Sequence, residues 1–253
     1  MTTKPPTNPD AAGAVKPFLA HLEDLRSSLL GMAASFVVAF GIAVPLAPRV
    51  FGLLLRPLER ALGATDPYLR SLEVAGAFTL ALRIMLGTGL ILSAPFLIAF
   101  AARFVYPGLT PRERRVANGS LVAAGALFAF GVALGYFITL PLAVRVMMSL
   151  HEWMGVRAEW TVTSYVAFSL QLLLAFGLVF ELPIVIVALG RLGLVSTEGL
   201  RKYRRHAIVI LLVVAAVLTP PDVFTQLAMA VPLVALYEVC IWVIAAIERG
   251  RRP

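Results

Sequence analysis

Residues 116–144, VANGSLVAAGALFAFGVALGYFITLPLAV, form a run of 29 residues without a charged side chain. A helix that crosses the hydrocarbon core of a bilayer, about 30 Å thick, needs roughly 20 residues. Three other uncharged runs of similar length occupy residues 27–48, 84–102 and 160–180. These four segments predict transmembrane helices, and they place the chain in the class of all-α membrane proteins.

The composition excludes a water-soluble domain. The 253 residues are 60% hydrophobic and 14% charged, with a mean hydropathy of +0.88, whereas soluble proteins carry about 25% charged residues. A net charge of +8 is compatible with nucleic-acid binding, but here the charges separate long apolar runs, so no nucleic-acid partner is predicted. The single Cys240 excludes an internal disulfide, and the three histidines have no metal-ligand spacing. We therefore expect neither a metal nor another cofactor.

The last third of the chain predicts two more helices, for six spans in all. Residues 207–221 carry no charge, and residues 224–247 are apolar apart from Glu238. Pro220 and Pro221 stand between them and predict a tight turn, because a proline pair cannot continue a helix. The fifth span, residues 207–219, would be only about 20 Å long. Such a short helix would have to thin the bilayer, extend its basic flanking side chains to the membrane surface, or be shielded from lipid by neighbouring helices. The alternative is that the helix extends beyond these bounds.

The basic residues predict the orientation. With six spans, both termini share one side, and that side holds 15 of the 22 lysines and arginines. The positive-inside rule then places both termini in the cytoplasm. Residues 1–17 are expected to form a disordered cytoplasmic tail, residues 18–247 the six-helix transmembrane domain, and residues 248–253 a short basic tail. The outer loops, 49–72 and 141–163, are expected to carry interfacial helices such as Val144–Trp153.

Three charged residues, Arg83, Glu181 and Glu238, lie within or near the interiors of the predicted spans. A charge in the bilayer is costly unless it is paired, hydrated or neutralised, so each is a functional candidate. Arg83 lies near a span end, where it can snorkel. Glu181 lies two residues before Pro183, which removes the hydrogen bond to the carbonyl of Val179 and predicts a kink. Glu181 has two interpretations: it lines a wet or partner-binding cavity, or it makes a structural hydrogen bond. The same two interpretations, functional and structural, apply to Glu238.

Two acids stand out on the predicted basic face. Asp24 lies in residues 21–26, HLEDLR, and Glu113 lies in residues 107–115, PGLTPRERR. Either carboxylate is a candidate receptor for a cation. The simpler alternatives are an ion pair between Glu113 and a neighbouring arginine, and a favourable helix-dipole position for Asp24.

Four stretches together resemble one family. They are FLAHLEDLR (18–26), FVYPGLTPRERR (104–115), FGLVFELP (176–183) and LTPPDVFTQ (218–226). In this order among six spans, they resemble the TatC family, the large membrane subunit of the twin-arginine protein translocase.

The resemblance implies a curved, glove-like bundle with two short final helices, in the cytoplasmic membrane of a prokaryote. It implies a receptor and not an enzyme, one that binds signal peptides with consecutive arginines on folded cargo proteins. The implied signal-peptide site comprises Asp24, Glu113, Glu23, Arg26 and Phe104. Aspartate stands at position 24 where the family usually has glutamate, and two serines follow Arg26 where the family usually has a basic pair.

The resemblance also implies partner proteins. Glu181 and Gln226 would contact the single-span subunits TatA and TatB. Further copies and subunits would be needed because six helices cannot enclose a protein-sized pore, and the proton gradient would supply the energy. The alternative function is a proton-coupled small-molecule transporter with Glu181 as its carrier site, although the chain shows no internal repeat of the kind common in such transporters.

Overall fold

The computed structural model describes residues 10–62, 69–105, 111–191, 193–218 and 223–250, although the side chains of 10–21, 24, 62, 102–105, 111–120, 218, 224 and 225 lie outside that description. Within these ranges the chain is mostly helical, with turns between helices and one short pair of strands. The elements are α1 (Asp10–Leu62), β1 (Leu69–Arg70), α2 (Gly76–Val105), α3 (Pro111–Leu134), a π-helical segment (Gly135–Thr139), α4 (Leu140–Trp153), β2 (Trp160–Thr161), α5 (Val162–Val179), α6 (Leu182–Arg191), α7 (Thr197–Lys202), α8 (Arg204–Leu218) and α9 (Val223–Arg249).

The all-α membrane fold is confirmed. Among the described residues, five helical segments are long and apolar enough to cross a bilayer: Leu25–Ala61, Gly76–Ala101, Leu121–Trp153, Val162–Arg191 and Gln226–Arg249. Helix α8 has only 15 residues, which at 1.5 Å per residue is about 22 Å. It is short, as the sequence predicted. Its crossing of the membrane as a sixth span, and the cytoplasmic location of the termini, stay predictions.

Helix α1 is longer at both ends than the predicted first span. It begins at Asp10, inside the tail that was expected to be disordered, because residues 10–16 (DAAGAVK) are mostly good helix formers. It then continues through part of the predicted outer loop to Leu62. That extension carries an apolar stripe, and Leu54 and Leu58 on it are buried in the bundle. This segment was predicted to be a loop because it lies outside the predicted span. Packing against the bundle stabilises it as a helix instead.

The predicted interfacial helix 144–153 is present within α4, but it does not stand apart from the third span. Helix α4 continues α3 through the π-helical segment, where the N–H of Leu140 donates to the carbonyl of Gly135, five residues earlier. Pro141 follows at the start of α4 and has no N–H for a normal helical bond. The wider π turn absorbs this interruption without ending the helix.

The final helix differs from the two short final helices that the family resemblance implied. Helix α9 has 27 residues, because after Pro232 no proline or glycine interrupts it before Gly250. Only α8 is short. The predicted turn between them, residues 219–222, lies outside the described residues.

Helix α5 is the centre of the bundle, and one close approach fixes its distance to α3. Leu172 and Phe176 pack in a cluster with α8 and α9, whereas Tyr165 and Leu170 pack in a second cluster with α1 and α2. Gly131 of α3 faces α5 so closely that a Cβ atom there would lie 2.7 Å from the carbonyl oxygen of Phe176. Small residues permit such contact between membrane helices, whose association depends on packing rather than on hydrophobic burial.

Two tyrosines join the outer extension of α1 to the rest of the bundle. The hydroxyl of Tyr136 donates to the carbonyl of Leu53 at 2.8 Å, and that of Tyr165 donates to the carbonyl of Leu54 at 2.7 Å. Pro57 lies four residues after Leu53 and has no N–H, so the Leu53 carbonyl lacks its usual helical donor. Tyr136 supplies the missing hydrogen bond.

Tyr136→Phe is expected to destabilise the protein more than Tyr165→Phe. The first change leaves the Leu53 carbonyl without a donor in an apolar setting, which costs about 1–3 kcal/mol. The second costs about 1 kcal/mol, because the N–H of Leu58 can still donate to the Leu54 carbonyl within the helix. Thermal unfolding in detergent micelles, followed by circular dichroism, measures both. Equal losses for the two variants would contradict the role assigned to Pro57.

Candidate functional site

The depth of the predicted receptor residues follows from how α1 and α2 pack. Gly31 of α1 faces the ring of Phe100 in α2, and a Cβ atom on Gly89 of α2 would lie 3.1 Å from the Cα of Phe40 in α1. Advancing along α1 therefore means going back along α2. The two helices are antiparallel in this register.

Helix α3 also packs against α2. A Cβ atom on Gly125 of α3 would lie 3.8 Å from the Cβ of Pro95 in α2. By the register of α1 with α2, the residue of α1 at the level of Pro95 is close to Phe36. Farther along, the hydroxyl of Tyr136 bonds to the carbonyl of Leu53 in α1. Helices α1 and α3 therefore run in the same direction, and both begin at the end of the bundle where α2 finishes.

Three of the predicted receptor positions share one depth at that end. Asp24 precedes Phe36 by 12 residues, and Glu113 precedes Gly125 by 12 residues, so each lies about 18 Å below the level of those contacts. Phe104 lies about 14 Å below the same level by the same helical rise. The structure thus brings the three backbone positions within about one helical turn in depth. Their side chains lie outside the described residues.

The remaining two predicted receptor residues form an ion pair on one helix. A guanidinium nitrogen of Arg26 lies 3.4 Å from a carboxylate oxygen of Glu23, and both side chains are 71% exposed. An exposed pair of this kind contributes little stability. It nevertheless balances the charge of Glu23 within its own helix.

Glu181 lies where the fourth span is interrupted. Helix α5 ends at Val179 and α6 begins at Leu182, with Pro183 in its first turn. The Glu181 N–H donates to the carbonyl of Leu178 at 3.1 Å, so the backbone turns tightly here. The kink that Pro183 predicted is confirmed as a break between two helices.

The side chain of Glu181 is half-buried, and one of its oxygens is unsatisfied. Oε1 is buried and has no hydrogen-bond partner among the described residues. Buried polar atoms almost always have a partner, so each exception requires an explanation. The interpretation of Glu181 as a residue held by a structural hydrogen bond is not supported for this oxygen.

The second intramembrane acid, Glu238, has a different setting. Its Oε2 accepts a hydrogen bond from Nη2 of Arg204 at 2.5 Å, in an ion pair whose carboxylate is 29% exposed. Glu238 is therefore paired within the fold, which favours the structural interpretation of this acid. Sequence reasoning missed Arg204, although its position at the start of the short α8, within a basic run, was the available signal.

Glu181 and Glu238 lie at one level. Helices α6 and α9 run parallel, since the thiol of Cys240 lies 3.7 Å from the carbonyl oxygen of Pro183 and Gly190 faces Ile244. Glu181 lies two residues before Pro183, and Glu238 lies two residues before Cys240. Because Glu238 also pairs with the first residue of α8, the short helix begins at their depth, and α6 and α9 continue about 15 Å beyond it.

Gln226 lies far from Glu181. Its side-chain nitrogen donates to the carbonyl of Leu212 in α8 at 3.1 Å. Twelve residues of α9 separate it from Glu238, which is about 18 Å. The two predicted partner-binding residues therefore belong to different depths of the bundle.

Arg83 is exposed on α2, in agreement with a snorkelling side chain. Among the residues that the structure describes, no group of three or more His, Cys, Asp or Glu side chains could hold a metal ion.

Comparison with known proteins identifies the family. The family model described as Sec-independent protein translocase protein (TatC) matches residues 20–232. TatC of Desulforapulum autotrophicum is 38% identical over 225 residues, which cover 89% of this chain and 83% of that protein. TatC of Escherichia coli K12 is 35% identical over 224 residues (88% and 86%), and TatC of Aquifex aeolicus is 34% identical over 227 residues (89% and 93%).

A solved structure agrees with these relatives. The crystal structure of the twin arginine translocase receptor TatC is 34% identical in sequence and superposes with a TM-score of 0.75, covering 89% of this chain and 98% of that one. Nothing in these matches supports a small-molecule transporter; the relatives are components of a protein translocase, and the apolar helices make this a multi-pass membrane protein. The chain belongs to the TatC family.

Proposed function

We propose that this translocase subunit is the receptor for twin-arginine signal peptides, and that Asp24 and Glu113 take one arginine each. The observation that carries the proposal is their matched depth. Both positions lie 12 residues before contacts that share one level, on helices that begin at the same end of the bundle. Two consecutive arginines of an extended peptide can then meet both acids at one depth.

The chemistry favours arginine over lysine. A carboxylate and a guanidinium form two parallel hydrogen bonds, whereas an ammonium is a point charge without that fork. Glu113 stands among Arg112, Arg114 and Arg115 in the sequence, so a cation that fails to pair with a carboxylate is repelled by its surroundings. A peptide that is merely basic is therefore disfavoured.

Three neighbours complete the proposed receptor. The ion pair of Glu23 with Arg26 balances the charge of Glu23, which leaves Asp24 as the proposed acid for a new cation. Phe104, within about one turn of the same depth, offers an aromatic face on which a guanidinium can stack. Exchange of the Glu23 and Asp24 roles is the alternative within this site.

The second part of the proposal concerns the single-span partners TatA and TatB. A hydrogen bond from a partner helix would satisfy Oε1 of Glu181, which has no partner among the described residues. Such a contact is worth only about 1 kcal/mol in a membrane, which suits reversible assembly. Gln226 uses its amide nitrogen within the fold, so it would present its oxygen to a partner at a shallower depth on the outer side.

The proposed setting is the cytoplasmic membrane of a prokaryote, with six spans and both termini in the cytoplasm. The excess of basic residues at the end where α1 begins supports this orientation. Helix α8, at 15 residues, would cross a locally thinned bilayer. Folded cargo would pass only with further copies of the chain and its partners, driven by the proton gradient.

Glu113→Gln is expected to reduce crosslinking of a twin-arginine signal peptide by about tenfold or more, since one charge-assisted pair contributes about 1.5–3 kcal/mol. Asp24→Asn is expected to act similarly, and Asp24→Glu to retain binding. Photocrosslinking in membranes, with a twin-lysine peptide as the negative standard, measures this. Glu73→Gln, an exposed acid near the start of α2, is the matched control. Undiminished crosslinking in Glu113→Gln would remove that residue from the receptor.

Glu181→Gln and Glu238→Gln are expected to separate partner binding from stability, although the two acids lie at one depth. Glu181→Gln removes no internal pair among the described contacts, so it should leave the unfolding temperature unchanged, retain signal-peptide binding and weaken crosslinking to TatA. Glu238→Gln breaks the ion pair with Arg204 and should cost about 1–3 kcal/mol of stability. Normal TatA crosslinking and normal export in Glu181→Gln would return Glu181 to a structural role.

A further inference from the structure

A narrow apolar cavity opens beside the start of α8. It has a volume of about 190 Å³, and its walls come from the break before α6, from α8 and from α9. Its lining includes Leu182, Pro183, Ala207, Ile210, Leu236 and Tyr237. We name this cavity the α8 slot.

The α8 slot is open at its rim and is lined mainly by apolar side chains. Ile210 is 60% exposed and Leu182 is 37% exposed, so the rim faces lipid. The hydroxyl of Tyr237 donates to the carbonyl of Leu200 at 2.9 Å, and the thiol of Cys240 lies 3.7 Å from the carbonyl oxygen of Pro183, so both polar groups of the lining residues are engaged within the fold. A volume below the roughly 300 Å³ of small-molecule pockets suits a single hydrocarbon chain, and an α-helix, about 10 Å across, does not fit inside it.

A basic cluster borders the same end of the slot. Arg201, Lys202 and Arg205 are exposed, and Ala207 of the slot follows Arg205 by two residues. The fourth cation, Arg204, is engaged by Glu238. Residues 197–206 contain one acid, Glu198, against these four cations, so the rim keeps a net positive charge.

Two contacts place this cluster toward the end of the bundle where α9 finishes. The N–H of Thr197 donates to Glu248 of α9 at 2.9 Å, and Arg204 reaches Glu238 of the same helix. Arg201 and Lys202 therefore lie between those two levels beside α9, and Arg205 lies in the first turn of α8, next to Arg204. Basic pockets between helices at a membrane surface bind the headgroups of anionic lipids.

We propose that the α8 slot and the basic cluster form one binding site for an anionic phospholipid. The phosphate is held by Arg201, Lys202 and Arg205, and one acyl chain enters the slot past Ala207 and Ile210. The acyl chain of the bound lipid occupies the cavity between the start of α6, α8 and α9. This inference goes beyond signal-peptide recognition and does not depend on it.

The headgroup is tested by native mass spectrometry of the purified protein after exchange into phosphatidylglycerol and phosphatidylcholine. The protein should retain phosphatidylglycerol in preference. The triple variant Arg201→Gln, Lys202→Gln, Arg205→Gln should lower bound phosphatidylglycerol at least tenfold, given the attraction of each cation near an anionic surface. The control triple Arg49→Gln, Arg145→Gln, Arg157→Gln removes three exposed cations of the opposite end and should change nothing. Equal retention in both triples overturns the headgroup assignment.

The acyl chain is tested by filling the slot. Ala207→Phe, which projects into it, should reduce the retention of both lipids, whereas Ala216→Phe on an exposed position of the same helix should not. Ile210→Trp is the second slot variant, because its site is largely exposed and tolerates a large side chain. Unchanged lipid retention in both slot variants overturns the proposal. So does a loss of crosslinking to a single-span partner with lipid retention unchanged, which would assign the slot to a protein helix.

Discussion

In the hydrocarbon core of a bilayer no water can bond to a backbone N–H or C=O group, so each proline in a span removes a donor that the fold must replace. This chain carries several such prolines and meets the constraint in different ways. At Pro57 the hydroxyl of Tyr136 bonds to the carbonyl left without a donor, four residues earlier. At Pro141 the preceding π turn shifts the hydrogen-bond ladder by one residue. The first solution joins two separate helices, and the second allows α3 to continue into α4.

At Pro183 the chain is interrupted instead, and the proposed partner site follows from that interruption. Glu181 lies in the break between α5 and α6, and its Oε1 has no hydrogen-bond partner within the part of the chain that the structure describes. The same level holds the first residue of α8, whose guanidinium neutralises Glu238. One acid at this depth is thus paired within the fold and the other is available. The apolar slot lies beside the start of α8, next to the basic cluster.

Hydropathy and the positions of charge predicted the fold class and the shortness of α8, because the length of uncharged helix needed to cross a bilayer is a strict constraint. The length of α1 was not predictable in this way. Its outer extension is held by burial of Leu54 and Leu58 and by tyrosines distant in sequence. Long-range pairs could not be predicted either, because nothing in the sequence near Glu238 indicates that Arg204, 34 residues away, neutralises it.

The candidate residues were predicted from four short stretches, but their relation in space required helix packing. Asp24 and Glu113 lie 89 residues apart in the chain. The contacts of α1 and α3 with α2, together with the bond between Tyr136 and Leu53, indicate that the two positions share a depth. That shared depth is the basis for assigning one arginine of a signal peptide to each acid.

A double-mutant cycle on signal-peptide affinity tests this assignment most directly. Each arginine of the pair is changed to lysine in the peptide, and each acid is changed to its amide in the protein, with Kd measured for all combinations. One arginine should couple to Asp24 and the other to Glu113, each by about 1–3 kcal/mol. Additive effects within about 0.3–0.5 kcal/mol for all four pairs would contradict a receptor in which the two carboxylates bind the two arginines.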